Sequence, residues 1–83
     1  MKLNLILIKE KRQEKGFNID DMAKLLGLTN GSMYWKRENG DYKFKAEEVM
    51  KLSGILGVPF DRLFLSDVYS KLDITTNKDK QVI

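Results

Sequence analysis

Leu28-Thr29-Asn30-Gly31-Ser32-Met33-Tyr34-Trp35-Lys36-Arg37-Glu38-Asn39-Gly40 is the stretch on which the fold turns. It crowds small, polar, aromatic and basic side chains onto one short helix, and Leu25-Leu26-Gly27 just before it reads as the end of another. Two helices joined by so tight a turn predict a helix-turn-helix, whose second member projects into a major groove. Gly40 supplies the stop at the far end. At the near end Thr29, Asn30 and Ser32 are all competent caps. Asn30 is the preferred one, since it turns Tyr34 and the stem of Arg37 inward and leaves Gly31, Ser32, Trp35 and Lys36 facing out. A cap at Thr29 would instead bury Met33 and Lys36.

Upstream, Asn18-Ile19-Asp20-Asp21 has the form of a capping box, with the shorter Asp in place of Glu. The helix it opens carries Met22, Leu25 and Leu26 on an inward stripe, keeps Ala23 small for close approach, and ends at Gly27. A first helix is expected over Leu3 to Lys15, with Asn4 a candidate cap and Gly16 its stop. Leu3, Leu5 and Leu7 also alternate as a strand would, and only the long charged continuation favours helix. Downstream of a loop at Asp41 to Lys45, Val49, Leu52 and Leu56 fall at helical spacing with Met50 and Ile55 beside them, giving a fourth helix from Ala46 to Leu56 closed by Gly57. Val58-Pro59-Phe60-Asp61 opens a short fifth helix through about Leu65, with Leu63 and Phe64 inward and the single proline at its entry. The expectation is an all-α, five-helix domain over residues 1–66, with the helix-turn-helix at about 19–39. Residues 67–83 form a C-terminal extension, either a partly disordered tail or an element of self-association through Val68, Tyr69, Leu72 and Ile74.

Composition narrows the chemistry. With 83 residues and 42% hydrophobic content the chain suits one small domain with a single core. It has no cysteine and no histidine, so thiolate metal sites, disulfides and nucleophile–histidine arrangements are excluded. No apolar run approaches the roughly 18 residues of a membrane span, and Leu3 to Ile8 is shorter than the roughly 7–15-residue core of a secretory signal. A cytoplasmic protein without membrane, metal, cofactor or small-molecule ligand is expected. The formal charge of +3, from 15 basic and 12 acidic residues, says less than its placement. Between Asn30 and Lys45 the basic Lys36, Arg37, Lys43 and Lys45 outnumber Glu38 and Asp41, while Asp20, Asp21, Glu47 and Glu48 fall at helix starts, where they serve helix dipoles. Those paired acids are not read as catalytic, because adjacent helical residues do not share a face. No enzyme activity is expected.

Four segments, in this order and spacing, resemble the Cro/CI-type (Xre family) helix-turn-helix domain of phage repressors and bacterial regulators: Lys11-Arg12-Gln13-Glu14-Lys15-Gly16-Phe17, Met22-Ala23-Lys24-Leu25-Leu26-Gly27-Leu28, Lys36-Arg37-Glu38-Asn39-Gly40, and Leu56-Gly57-Val58-Pro59-Phe60-Asp61-Arg62-Leu63-Phe64. The resemblance implies a lambda-repressor-like fold whose third helix lies in the major groove. It assigns Gly31, Ser32 and Lys36 to base-facing places and Asn30 and Asn39 to phosphate-facing ones, with Lys43, Tyr42 and Lys45 holding the backbone beyond the third helix. The sequence departs from the family pattern in three places. The stretch from Gly27 to Gly40 is one residue longer than usual, Gly31 stands where a long polar reader such as glutamine is common, and Lys11 stands where leucine often does.

The partners so implied are a double-stranded DNA operator and a second copy of the chain, as for a phage or mobile-element repressor that occupies a promoter as a dimer. Such a protein would lack the self-cleavage apparatus of larger phage repressors. Trp35 has two readings, an indole set against thymine methyls or a partner chain, and a seam residue of the third helix. An alternative of another class is a protein-interaction module of the same fold, an antitoxin or anti-repressor target that binds through Tyr34, Trp35 and Tyr69.

Overall fold

The computed structural model describes residues 2–65. Its elements are α1 (Leu5–Glu14), α2 (Ile19–Leu26), α3 (Gly31–Glu38), α4 (Ala46–Leu56) and a 3-10 turn (Phe60–Leu63). The expectations for residues 67–83, including Val68, Tyr69, Leu72 and Ile74, lie outside the described residues.

Local chemistry sets each boundary. Asn4 caps α1 by accepting from the Leu7 N–H at 3.1 Å. Asn18 and Asp21 form the expected reciprocal box, with Asp21 N–H donating to Asn18 at 2.7 Å and Asn18 N–H to Asp21 at 3.0 Å. Asn30 caps α3 by accepting from the Met33 N–H at 3.0 Å, which fixes the register expected for that helix. Gly27 and Gly57 end α2 and α4 in the left-handed region, at φ 75° and 67°. Lys15 Nζ lies near Gly57, setting a cation at the carbonyl end of α4.

Ile19, Met22, Ala23 and Leu26 form the inward stripe of α2 and meet Ile8, Tyr34, Val49, Leu52, Leu56, Val58 and Leu63 in one core. Leu25, expected on that stripe, is 45% exposed. With the stripe centred on Met22, Ala23 and Leu26, a residue next to Leu26 is rotated about 100° off it. Met50 is likewise turned to solvent, whereas Val49, Leu52 and Leu56 are buried as expected.

Both ends of the described chain differ from expectation for one shared reason. Leu3 pairs with Phe64 in an isolated antiparallel bridge, in which Asn4 N–H donates to the Leu63 carbonyl at 2.7 Å and Leu65 N–H to the Lys2 carbonyl at 2.6 Å. The first helix therefore begins at Leu5 rather than Leu3. The expected fifth helix stops after the 3-10 turn because Phe64 is extended at φ −103°, ψ 144°. Pairing satisfies backbone groups that one more helical turn would otherwise have taken up. The five-helix expectation becomes four α-helices and a 3-10 turn among the described residues.

Two buried ion pairs run through the interior. Arg12 on α1 clasps Glu38 on α3 in a bidentate pair, Nε to Oε2 at 2.9 Å and Nη2 to Oε1 at 3.1 Å, and its Nη1 donates to the Phe17 carbonyl at 2.9 Å. The Tyr34 hydroxyl donates to the same Glu38 Oε2 at 2.6 Å. Arg37 Nε donates to Glu48 Oε1 at 2.9 Å, joining α3 to α4, and its Nη1 donates back to the Met33 carbonyl at 3.0 Å. Glu48 Oε1 also accepts from Lys45 N–H at 2.9 Å, so this acid binds the start of its own helix as well.

Removing one member of a buried pair strands the other, at a cost of about 3–5 kcal/mol. Glu38→Ala is expected to lower stability by that amount in urea denaturation, and adding Arg12→Leu should recover part of the loss by removing the orphaned guanidinium. Burial, then the hydrogen bond to Glu38 and its charge, push the Tyr34 hydroxyl far above its ordinary pKa of 10. An unfolded tyrosine ionises at that pH and the folded one does not, so this contribution is intact below pH 10 and is lost as pH rises beyond it. The expected slope is about −1.4 kcal/mol per pH unit. Comparing urea midpoints of the wild type and Tyr34→Phe across pH 9 to 11 checks this, since the variant should lack that part of the decline.

Candidate nucleic-acid interface

The face of α3 opposite its buried side is set by the positions of Tyr34, Arg37 and Glu38, all of which point inward. Ser32, Trp35, Lys36 and Asn39 recur at three- and four-residue spacing, so they fall together on the other side. Ser32 and Asn39 are exposed, Lys36 is half-buried, and Trp35 is 49% exposed. Tyr34, by contrast, is fully buried, and its ring packs edge-on against Phe44 at 5.9 Å between centroids. A surface formed by Tyr34 with Trp35 is therefore absent, and Tyr69, the third aromatic of that alternative, lies outside the described residues.

Gly31 does not sit as expected. A Cβ placed there would run into the Asp20 carboxylate and come within 3.3 Å of Ile19 Cγ2. Position 31 thus faces the first turn of α2 rather than the open side, and only its backbone is presented outward. This close approach gives a reason for glycine where the resemblance leads one to expect glutamine, since a side chain would have to displace the Asp20 carboxylate.

The remaining expected residues lie at the two ends of α3 and on the loop after it. Asn30 is exposed and uses its Oδ1 as the α3 cap, while Asn39 follows the helix as its C-terminal cap residue. Tyr42, Lys43 and Lys45 are exposed on the loop after α3. The Tyr42 ring lies under the Lys36 ammonium, 5.2 Å from the centroid, a contact that sequence patterning did not suggest. A groove of about 550 Å³, walled by Leu3, Leu5, Phe44, Val49, Phe60 and Phe64, opens beside Tyr42 and Lys43; neither Ser32, Trp35 nor Lys36 lines it.

Electrostatically, the structure sorts the charges more sharply than the sequence does. Arg37 does not add to the surface field expected from its sequence neighbourhood, because it is buried against Glu48, and Glu38 is buried against Arg12. The ion pairs withdraw both from the surface, leaving Lys36, Lys43 and Lys45 against the exposed Asp41. The Asp21 carboxylate serves as a cap and that of Glu48 as an ion-pair partner. Among the described residues no three carboxylates gather as a metal site, and no helix is long and apolar enough to cross a membrane.

Comparison with known proteins places this geometry. A family model described as helix-turn-helix matches residues 8–63, which takes in α1 through the 3-10 turn. Relatives in Saccharolobus islandicus, strains L.S.2.15 and M.14.25, and in Saccharolobus solfataricus are each 35% identical over 57 residues, 69% of this chain. Their names provisionally assign them as HTH-type transcriptional regulatory proteins. The match covers 18% of each relative, so the chain corresponds to a small part of their length. No solved structure matches.

Gly31→Ala is expected to destabilise the fold by about 1 kcal/mol, at the low end for overpacking because the Asp20 side chain can swing aside. Adding Asp20→Ala should recover part of that loss, as read from urea midpoints. A neutral Gly31→Ala would mean that α2 and α3 do not approach this closely.

Proposed function

The chain belongs to the helix-turn-helix family, and from that premise we propose that it is a transcriptional regulator that binds double-stranded DNA sequence-specifically through α3. The observation that carries this reading is the division of α3 into two faces. One is bolted into the core by Tyr34, Arg37 and Glu38, and the other presents Ser32, Trp35 and Lys36 to solvent.

In this reading Lys36 donates to guanine O6 and N7, Ser32 bonds a base edge, and the Trp35 indole packs on thymine methyls. Gly31 contributes its backbone alone. Asn30, Asn39, Tyr42, Lys43 and Lys45 contact phosphates and set the register without reading sequence. The finer proposal is a cytoplasmic repressor of phage or mobile-element type that occludes a promoter as a symmetric dimer on half-sites about 34–36 Å apart. The order and spacing of its sequence segments support that assignment.

Selection of bound sites from random duplexes is expected to return an inverted repeat. If the dimer makes roughly 6–10 phosphate contacts, its affinity should fall by about 10³ to 10⁵ between 50 and 200 mM salt. Lys36→Ala should relax preference at one position of each half-site, by about 1–3 kcal/mol if its contact is bidentate. Binding that is insensitive to salt, or a selected pool with no shared sequence, would contradict the proposal.

A further inference from the structure

Lys36 is the one cation on the open face of α3, and a lysine there is a poor reader unless something limits where its ammonium goes. Its long stem gives it many rotamers, and its charge is a compact point without the directional fork of arginine. Among the described residues no carboxylate forms an ion pair with it. Its ammonium instead lies over the Tyr42 ring, within the roughly 6 Å at which a cation is held by an aromatic face.

The backbone builds this contact. Gly40 adopts φ 92°, a left-handed conformation that reverses the chain after α3. The reversal brings two N–H groups back to the carbonyl of Lys36 itself, from Asp41 at 2.8 Å and from Tyr42 at 3.2 Å. Residue 42 is thereby tied to residue 36 through the main chain before either side chain is considered. The Tyr42 side chain also borders the apolar groove bounded by Leu5, Phe44 and Phe64, and is about half-exposed. Lys36 itself is half-buried.

We propose that Tyr42 is a positioning residue for DNA reading, its ring holding the Lys36 ammonium in one place and so determining which base edge Lys36 reaches. This rests on the reading of α3 as the DNA-contacting helix. It differs from the expectation that Tyr42 simply donates its hydroxyl to a phosphate, because the ring and not the hydroxyl does the work.

Three variants separate the roles. Tyr42→Leu removes the ring, Tyr42→Phe keeps the ring and removes the hydroxyl, and Lys36→Met removes the cation. The first measurement needs no DNA: in the free protein the Lys36 ε-methylene protons should be shifted upfield by the ring current, in the wild type and Tyr42→Phe alike, and the shift should vanish in Tyr42→Leu. The second is binding to duplexes substituted one base pair at a time. Tyr42→Leu should reduce discrimination at the Lys36 position by about two- to fivefold, the range expected for an exposed cation–aromatic contact, with the salt dependence unchanged. Tyr42→Phe should retain that discrimination, and in a Lys36→Met background Tyr42→Leu should have no further effect on it.

Absence of the upfield shift in the wild type overturns the proposal. So does a Tyr42→Phe variant that loses discrimination as Tyr42→Leu does, because the hydroxyl is then what matters. An upfield shift in a protein that binds duplexes without any base preference overturns the sequence-specific reading of α3 first, and the role of Tyr42 in specificity with it.

Discussion

A guanidinium and a carboxylate buried face to face hold α3 where it is. Arg12 and Glu38 join the first helix to the last turn of the third, and the same Arg12 reaches the carbonyl of Phe17 at the entrance to the helix-turn-helix. Such a pair adds little net stability compared with apolar residues of the same shape. Its geometry is nevertheless demanding, because every donor needs its acceptor in a low-dielectric interior. An apolar contact would tolerate α3 sliding or rolling by a fraction of a turn. The bidentate pair, with the Tyr34 hydroxyl on the same carboxylate, admits one rotation and one depth.

That constraint organises the surface as well. Since Tyr34, Arg37 and Glu38 are fixed inward, the positions three and four residues away from one another on the opposite side must face out, and Ser32, Trp35 and Lys36 occupy them. The second pair, Arg37 with Glu48, binds α4 and the Lys45 backbone to the same helix. The two interior pairs withdraw equal numbers of positive and negative charges, so the chain's excess of +3 is undiminished by burial. Three of the lysines that carry that excess are Lys36 in the last turn of α3 and Lys43 and Lys45 on the loop after it.

Much of this architecture was legible in the residues. Caps at Asn4, Asn18 and Asn30 and stops at Gly27 and Gly57 have local causes, and local causes can be read from a few neighbouring letters. The register of α3 followed from choosing Asn30, which correctly placed Tyr34 and Arg37 inside. What could not be read depends on partners distant in sequence. Arg12 and Glu38 are 26 residues apart, and the only hint was that Arg12 stands one turn after Ile8, a charged residue on an apolar stripe. The truncated fifth helix has the same origin, because Phe64 follows Leu3 rather than its own neighbours. Gly31 was legible as a departure from a pattern, but its cause was a carboxylate on a different helix. The lysine-on-ring contact needed the chain reversal at Gly40 in three dimensions.

The bridge between Leu3 and Phe64 also bears on how the protein is made. Synthesis delivers residues 2–4 before the four described α-helices and residues 63–65 only after them. The helix-turn-helix and its link to α1 can assemble while the chain is still growing, since Glu38 emerges well before Phe64. Residues 2–4 must wait as an unpaired edge until residues 63–65 arrive. Lys2 and Leu65 therefore lie side by side, so segments continuing from these two positions start next to one another.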